Sequence, residues 1–115
     1  MSDDLYDGVP VAYLPIEDVY VPDPAHLRRS LRYPGAVDIA PEHAVQAALD
    51  PRRLVARDPG SRTREAIRVV GRSRGMGRVL IVVLLPDDHP PSGVWRITTA
   101  WPADQRTRAI YAEKV

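Results

Sequence analysis

The chain has 115 residues, 16 Lys and Arg against 15 Asp and Glu, and neither Cys nor Phe. That length suits one domain with a modest core, and the missing Cys removes disulfides, thiolate metal sites and cysteine nucleophiles. No run reaches the ~18 apolar residues of a membrane span and no basic-then-apolar leader opens the chain, so the expectation is a cytoplasmic protein without a membrane segment.

The near-neutral total hides an asymmetry. Residues 1–25 contain six acidic and no basic side chains, whereas the remainder holds all 16 basic ones against 9 acidic. Fifteen of the 16 are Arg. The guanidinium offers a planar fork of donors matched to phosphate, so one reading is a phosphate-binding face. The other is a solvated surface in an Arg-preferring organism.

Residues 1–18 carry two prolines and no helical period. They read as an extended acidic arm, with the alternation of Val9, Val11 and Tyr13 allowing a short edge strand. The arm either frays or lies over the basic face. Residues 19–115 form the domain proper. Val19-Tyr20-Val21 is a possible strand. Asp23-Pro24 is a helix start, and a first helix is expected over Ala25–Arg32, with Leu27 and Leu31 inward and Arg28, Arg29 and Arg32 outward. Pro41 opens a second helix with Ala44, Val45, Ala48 and Leu49 on its apolar face, stopped by Pro51. Arg52–Arg57 is a candidate first strand and Arg64–Gly71 a second, with Ile67 and Val69 on one face. Two glycines in Ser73–Gly77 mark a hairpin loop.

Val79–Leu85 (VLIVVLL) is the most hydrophobic stretch. Seven consecutive apolar residues do not alternate, so both faces of this strand should be buried, with neighbours at Ala66–Val70 and Val94–Thr99. Pro102 opens a third helix anchored by Ile110. The expected fold is α+β: a small antiparallel sheet of about four strands with two N-terminal helices and one C-terminal helix packed on it.

The three histidines, at 26, 43 and 89, lack ligand-spaced carboxylates, so no metal site and no cofactor are expected. Gly71, Gly75 and Gly77 sit in a hairpin and do not open a helix, which removes a phosphate-cradling fingerprint. Arginines remain. Arg68, Arg78 and Arg96 come from successive strands, Arg106 and Arg108 from the last helix, and Arg29 from the outward face of the first. Converging, they would hold a phosphate. Tyr111, one turn after Arg108, shares its face or simply anchors the helix. Arg78 binds phosphate or closes the hairpin. His26, among basic neighbours, is the candidate proton carrier near neutral pH.

The runs R-V-V-G-R-S-x-G-x-G-R-V-L, W-R-I-T-T-A and Q-R-T-R-A-I-Y, with Val19–His26 ahead of them, resemble the BrnT toxins of bacterial type II toxin–antitoxin systems over about residues 19–112. The resemblance implies a RelE-like ribonuclease fold and metal-independent RNA cleavage by attack of the ribose 2′-hydroxyl on the adjacent phosphate. It also implies a cognate antitoxin, a ribbon-helix-helix DNA-binding protein. By that likeness catalysis would fall to His26, Arg64, Arg78 and Tyr111, and RNA phosphate binding to Arg96 and Arg108; Arg29, Arg68 and Arg106 join the phosphate binders by their charge and placement alone. The chain departs from the family pattern in having no His between the first two helices, Trp101 in place of an Arg, and Gln105 in place of a Glu. Those departures carry the alternative: a toxin-like fold that binds RNA or a protein partner without cleaving.

Overall fold

The structure is a computed structural model that describes residues 5–114. A short hairpin, β1 (Leu5–Tyr6) and β2 (Val9–Pro10), is followed by β3 (Asp18–Tyr20), α1 (Pro41–Ala48), β4 (Leu54–Arg57), β5 (Ile67–Ser73), β6 (Arg78–Pro86), β7 (Val94–Pro102) and α2 (Gln105–Lys114). The main sheet has the order β3-β7-β6-β5-β4. The apolar run therefore lies in the central strand, between the two neighbours expected of it. Leu80, Val82 and Leu84 are completely buried on one face, and Ile81 and Val83 are nearly so on the other. Each such side chain stabilises the fold by roughly 1.5–3 kcal/mol, so β6 anchors the sheet from its interior.

The two faces differ. One packs against α1 through Ala44, Ala47 and Ala48, and gathers Ile67, Val69, Trp95, Ile97 and Ala100 into the main core. The other carries Arg68, Val70 and Arg72 of β5, Ile81 and Val83 of β6, and Thr99 and Trp101 of β7, as the strand registers require. A bulge between Val83 and Leu84 on β6 and the facing β7 segment restores the apolar alternation on both sides of Thr98.

The α+β class holds, but the arrangement differs from the sequence expectation. The sheet has five strands, and it is mixed: β3 pairs in parallel with β7 while the other neighbours are antiparallel. There are two α-helices among the described residues. The first expected helix is replaced by two 3-10 turns, Pro24–Leu27 and Arg29–Leu31. Asp23 caps the first turn as anticipated, accepting from the Ala25 N–H. Arg28, at φ −88° and ψ 72°, then breaks the helical path. Asp38 takes both the backbone N–H and the hydroxyl of Ser30, so the turn is held from outside, and only Leu27 of the Leu27–Leu31 pair is buried.

The N-terminal segment also differs from a loose arm. Tyr6, Val11, Leu14 and Ile16 belong to the main core. The Tyr6 hydroxyl donates to the Glu65 carbonyl, and the Trp95 indole N–H donates to the Pro15 carbonyl at 2.7 Å. Through these residues the segment closes the core on the α1 side of the sheet. No helix among the described residues is long and apolar enough to cross a membrane.

Candidate phosphate-binding surface

The alternation of β5 decides which arginines face where. Ile67, Val69, Gly71 and Ser73 point toward α1, so Arg68, Val70 and Arg72 take the opposite face. At Gly71 the helix backbone comes so close that a Cβ would lie 1.9 Å from the Ala47 carbonyl oxygen. That approach brings the end of α1 against β5 just where β4 has stopped pairing. Asp50 fills the gap: its Oδ1 accepts the Arg52 N–H at 2.9 Å and its Oδ2 the Arg72 N–H at 2.8 Å. The Tyr111 hydroxyl, arriving from α2, donates to the same Oδ2. The hairpin after β5 is fixed to α1 by Gln46, whose Oε1 accepts from the Ser73 hydroxyl and the Gly75 N–H, each at 2.8 Å.

Around Asp50 lies a cleft of about 680 Å³, lined by Gln46, Asp50, Tyr111 and three arginines, Arg52, Arg72 and Arg74. Among the described residues, none of those three guanidiniums is within ion-pair distance of a carboxylate. Both Asp50 oxygens are already accepting hydrogen bonds, so the cleft keeps a cationic excess. Arg forks without carboxylate partners around a concave site are suited to a phosphate or another oxyanion.

Burial alone would raise the Asp50 carboxyl, but hydrogen bonds from Tyr111 and from the Arg52 and Arg72 backbone N–H groups, with the Arg52 charge, outweigh it and hold it below the ordinary carboxylate value. A carboxyl depressed on folding contributes stability that is present above its unfolded value, near 3.8, and lost as pH falls through the lower folded one. The expected result is an acid-unfolding curve in which the wild type loses more stability than Asp50→Asn between about pH 5 and pH 2. Urea midpoints measured across that range check it, and parallel curves would remove Asp50 as a contributor. Tyr111 moves the other way. Burial first, and then its bond to Asp50, push its hydroxyl up to about 12. At neutral pH it is a protonated anchor for α2, not a proton acceptor.

The residues expected to act together are dispersed. His26 is exposed, 2.9 Å from an Arg32 guanidinium nitrogen through Nδ1 and 3.8 Å from Asp23 through Nε2. It borders a small cavity with Pro22, Ile97 and Thr98. Arg64 has a left-handed backbone, φ 64°, and lines a separate cleft of about 520 Å³ with Tyr6, Arg57 and His89. Arg78 sits at the exposed start of β6, opposite Ser73. Tyr111 belongs to the arginine cleft. Tyr111, Arg64 and His26 thus line three different cavities.

The expected phosphate binders divide too. Arg68 is paired with Asp58 and Arg96 with Asp87, both at 3.1 Å. Arg108 donates to the Ala103 carbonyl at 3.0 Å, closing the start of α2, while Arg106 is exposed. Arg29 and Arg68 do meet: both guanidiniums lie over the Trp101 ring. Arg52, Arg72 and Arg74 were not singled out by sequence. Arg72 and Arg74 lie inside the run that carries the family resemblance, but joining them to Arg52 needs the helix–strand packing at Gly71. Among the described residues no three His, Asp or Glu side chains gather as metal ligands would. No protein-family model matches the sequence, and neither does any curated relative.

Proposed function

We propose that the protein is a toxin-like RNA-binding module that holds single-stranded RNA by its backbone phosphates without cleaving it. One observation carries this reading: three guanidiniums without carboxylate partners among the described residues surround one cleft. Arg72 extends the cleft onto the sheet face that also bears Arg68 and Trp101, so a strand leaving the cleft meets further cationic and aromatic side chains. Single-stranded RNA matches that surface, because cationic grooves track its backbone and aromatic rings accept its bases. The cleaving alternative gains no support from the dispersal of His26, Arg64, Arg78 and Tyr111. The BrnT resemblance adds a ribbon-helix-helix antitoxin to the proposal, encoded beside this gene.

The test is fluorescence anisotropy with a labelled single-stranded RNA at several salt concentrations. Each of Arg72→Ala and Arg74→Ala should weaken binding about tenfold at low salt and reduce the slope of log K against log salt by roughly 0.7. Unchanged slopes in both variants would sink the cleft as the phosphate site. Cleavage of the RNA during incubation, retained after repurification and abolished by His26→Ala, would restore the ribonuclease reading.

A further inference from the structure

Trp101 is half-buried on the face of the sheet away from α1. The Arg29 Cζ lies 4.8 Å from its ring centroid and the Arg68 Cζ 5.2 Å. Arg29 is also 5.0 Å from the centroid of Tyr33, a residue 54% exposed. One flat group, the Arg29 guanidinium, therefore rests against two aromatic rings from different segments. The two arginines are held differently. Arg68 is tied to Asp58, while Arg29, on a 3-10 turn, has no carboxylate within ion-pair distance among the described residues.

Beside the ring are two polar atoms without partners. Arg68 Nε and Thr99 Oγ1 are buried and make no hydrogen bond among the described residues. Arg68 and Thr99 both pair with Val83 in register, so they lie in one row across the sheet, next to the row containing Trp101. Buried polar groups ordinarily have partners, and two orphans in one row of the same sheet face point to something that supplies them. The partner must be flat, to use the rings, and must offer hydrogen-bonding atoms at its edge. It must also tolerate a cationic surround, which excludes an ammonium ligand.

We propose that Trp101 is a stacking subsite for one unpaired nucleobase of single-stranded RNA, the base taking the place of the Arg29 guanidinium beside the ring, with Thr99 Oγ1 and Arg68 Nε meeting its edge. The inference rests on the RNA-binding reading above and assigns one base of the strand to one ring and two named edge partners. Guanidinium and nucleobase are interchangeable on an aromatic face, since both are planar and stack. The displaced Arg29 stays next to an anionic backbone that it can neutralise.

The experiment titrates the full chain with hexauridylate and with the same oligomer made abasic, following tryptophan emission and affinity. Trp95 is completely buried and gives a constant background. The expected result is quenching by hexauridylate alone, with the abasic oligomer bound about tenfold more weakly or worse. Trp101→Leu should bring the two affinities together. If that variant does not fold, the comparison of oligomers on the unaltered chain decides. Arg29→Ala should keep the quenching, because the ring and not the guanidinium receives the base; its loss would overturn the exchange. Equal binding of both oligomers without quenching, still weakened by Arg72→Ala, would overturn the base subsite and leave the phosphate cleft standing. Failure of both oligomers to bind would end both proposals.

Discussion

Gly71→Ala should unfold the protein, or lower its melting temperature by more than roughly 10 °C, on the scale of a few kcal/mol for a domain of this size. The new methyl group would sit 1.9 Å from the Ala47 carbonyl oxygen and 2.8 Å from the Ala47 carbonyl carbon. Both are backbone atoms of α1, so no rotamer change relieves the clash. The helix must move off the sheet. Overpacking usually costs about 1–3 kcal/mol where side chains yield, and here the yielding element is a whole helix carrying Ala44, Ala47 and Ala48 of the core. Gly77→Ala is the control. Gly77 has φ 64° but open space around it, so its alanine variant should lose only about 1 kcal/mol. Thermal unfolding followed by circular dichroism compares the two. Similar melting temperatures for both variants would mean that α1 is not seated on β5 as described.

Trp95→Ala should be as damaging, by about 3–5 kcal/mol of a total near 5–15. Trp95 is the largest of the fully buried side chains. Its ring meets Tyr6 edge-on at a centroid distance of 6.1 Å, and its N–H satisfies the Pro15 carbonyl. Removing it opens a cavity, strands that carbonyl, and loosens residues 6–16 from the sheet. Trp95→Phe should fall between, since it keeps apolar volume and loses the hydrogen bond. Urea midpoints read the order. A Trp95→Ala protein within 1 kcal/mol of wild type, on the same scale, would show that the N-terminal segment contributes little to the core.

Local signals in the chain identified the strands well. An unbroken apolar run has to lie in the sheet centre, and alternation in Ile67–Val69 gave the inward face correctly. What local pattern misses is pairing. Val19–Val21 looks like a strand, but nothing near it shows that its partner is Val94–Arg96, or that the two run parallel. Leu27 and Leu31 have helical spacing, yet a single inward leucine and an external carboxylate from Asp38 leave two 3-10 turns instead. For the candidate site, arginine content suggested phosphate, but the useful arginines depend on which carboxylates lie nearby. Asp58 and Asp87 neutralise Arg68 and Arg96 through tertiary placement. The cleft arginines have no ion-pair partner among the described residues, and only the close approach at Gly71 joins them.

The parallel pairing of β3 with β7 also bears on how the chain is made. Residues 18–20 wait for residues 94–96, so the sheet edge forms only after those distant residues have been synthesised. At about 5–20 residues per second, the core side chains of the first 20 residues stay without their partner for several seconds on the ribosome. Contacts so distant in sequence are also the slow ones to form, whereas the β5–β6–β7 meander joins neighbours. In refolding followed by pulsed hydrogen exchange, the amides of β5–β7 should gain protection first and those of residues 16–20 last. Early protection of residues 16–20 would indicate that the N-terminal segment is held before its strand partner arrives.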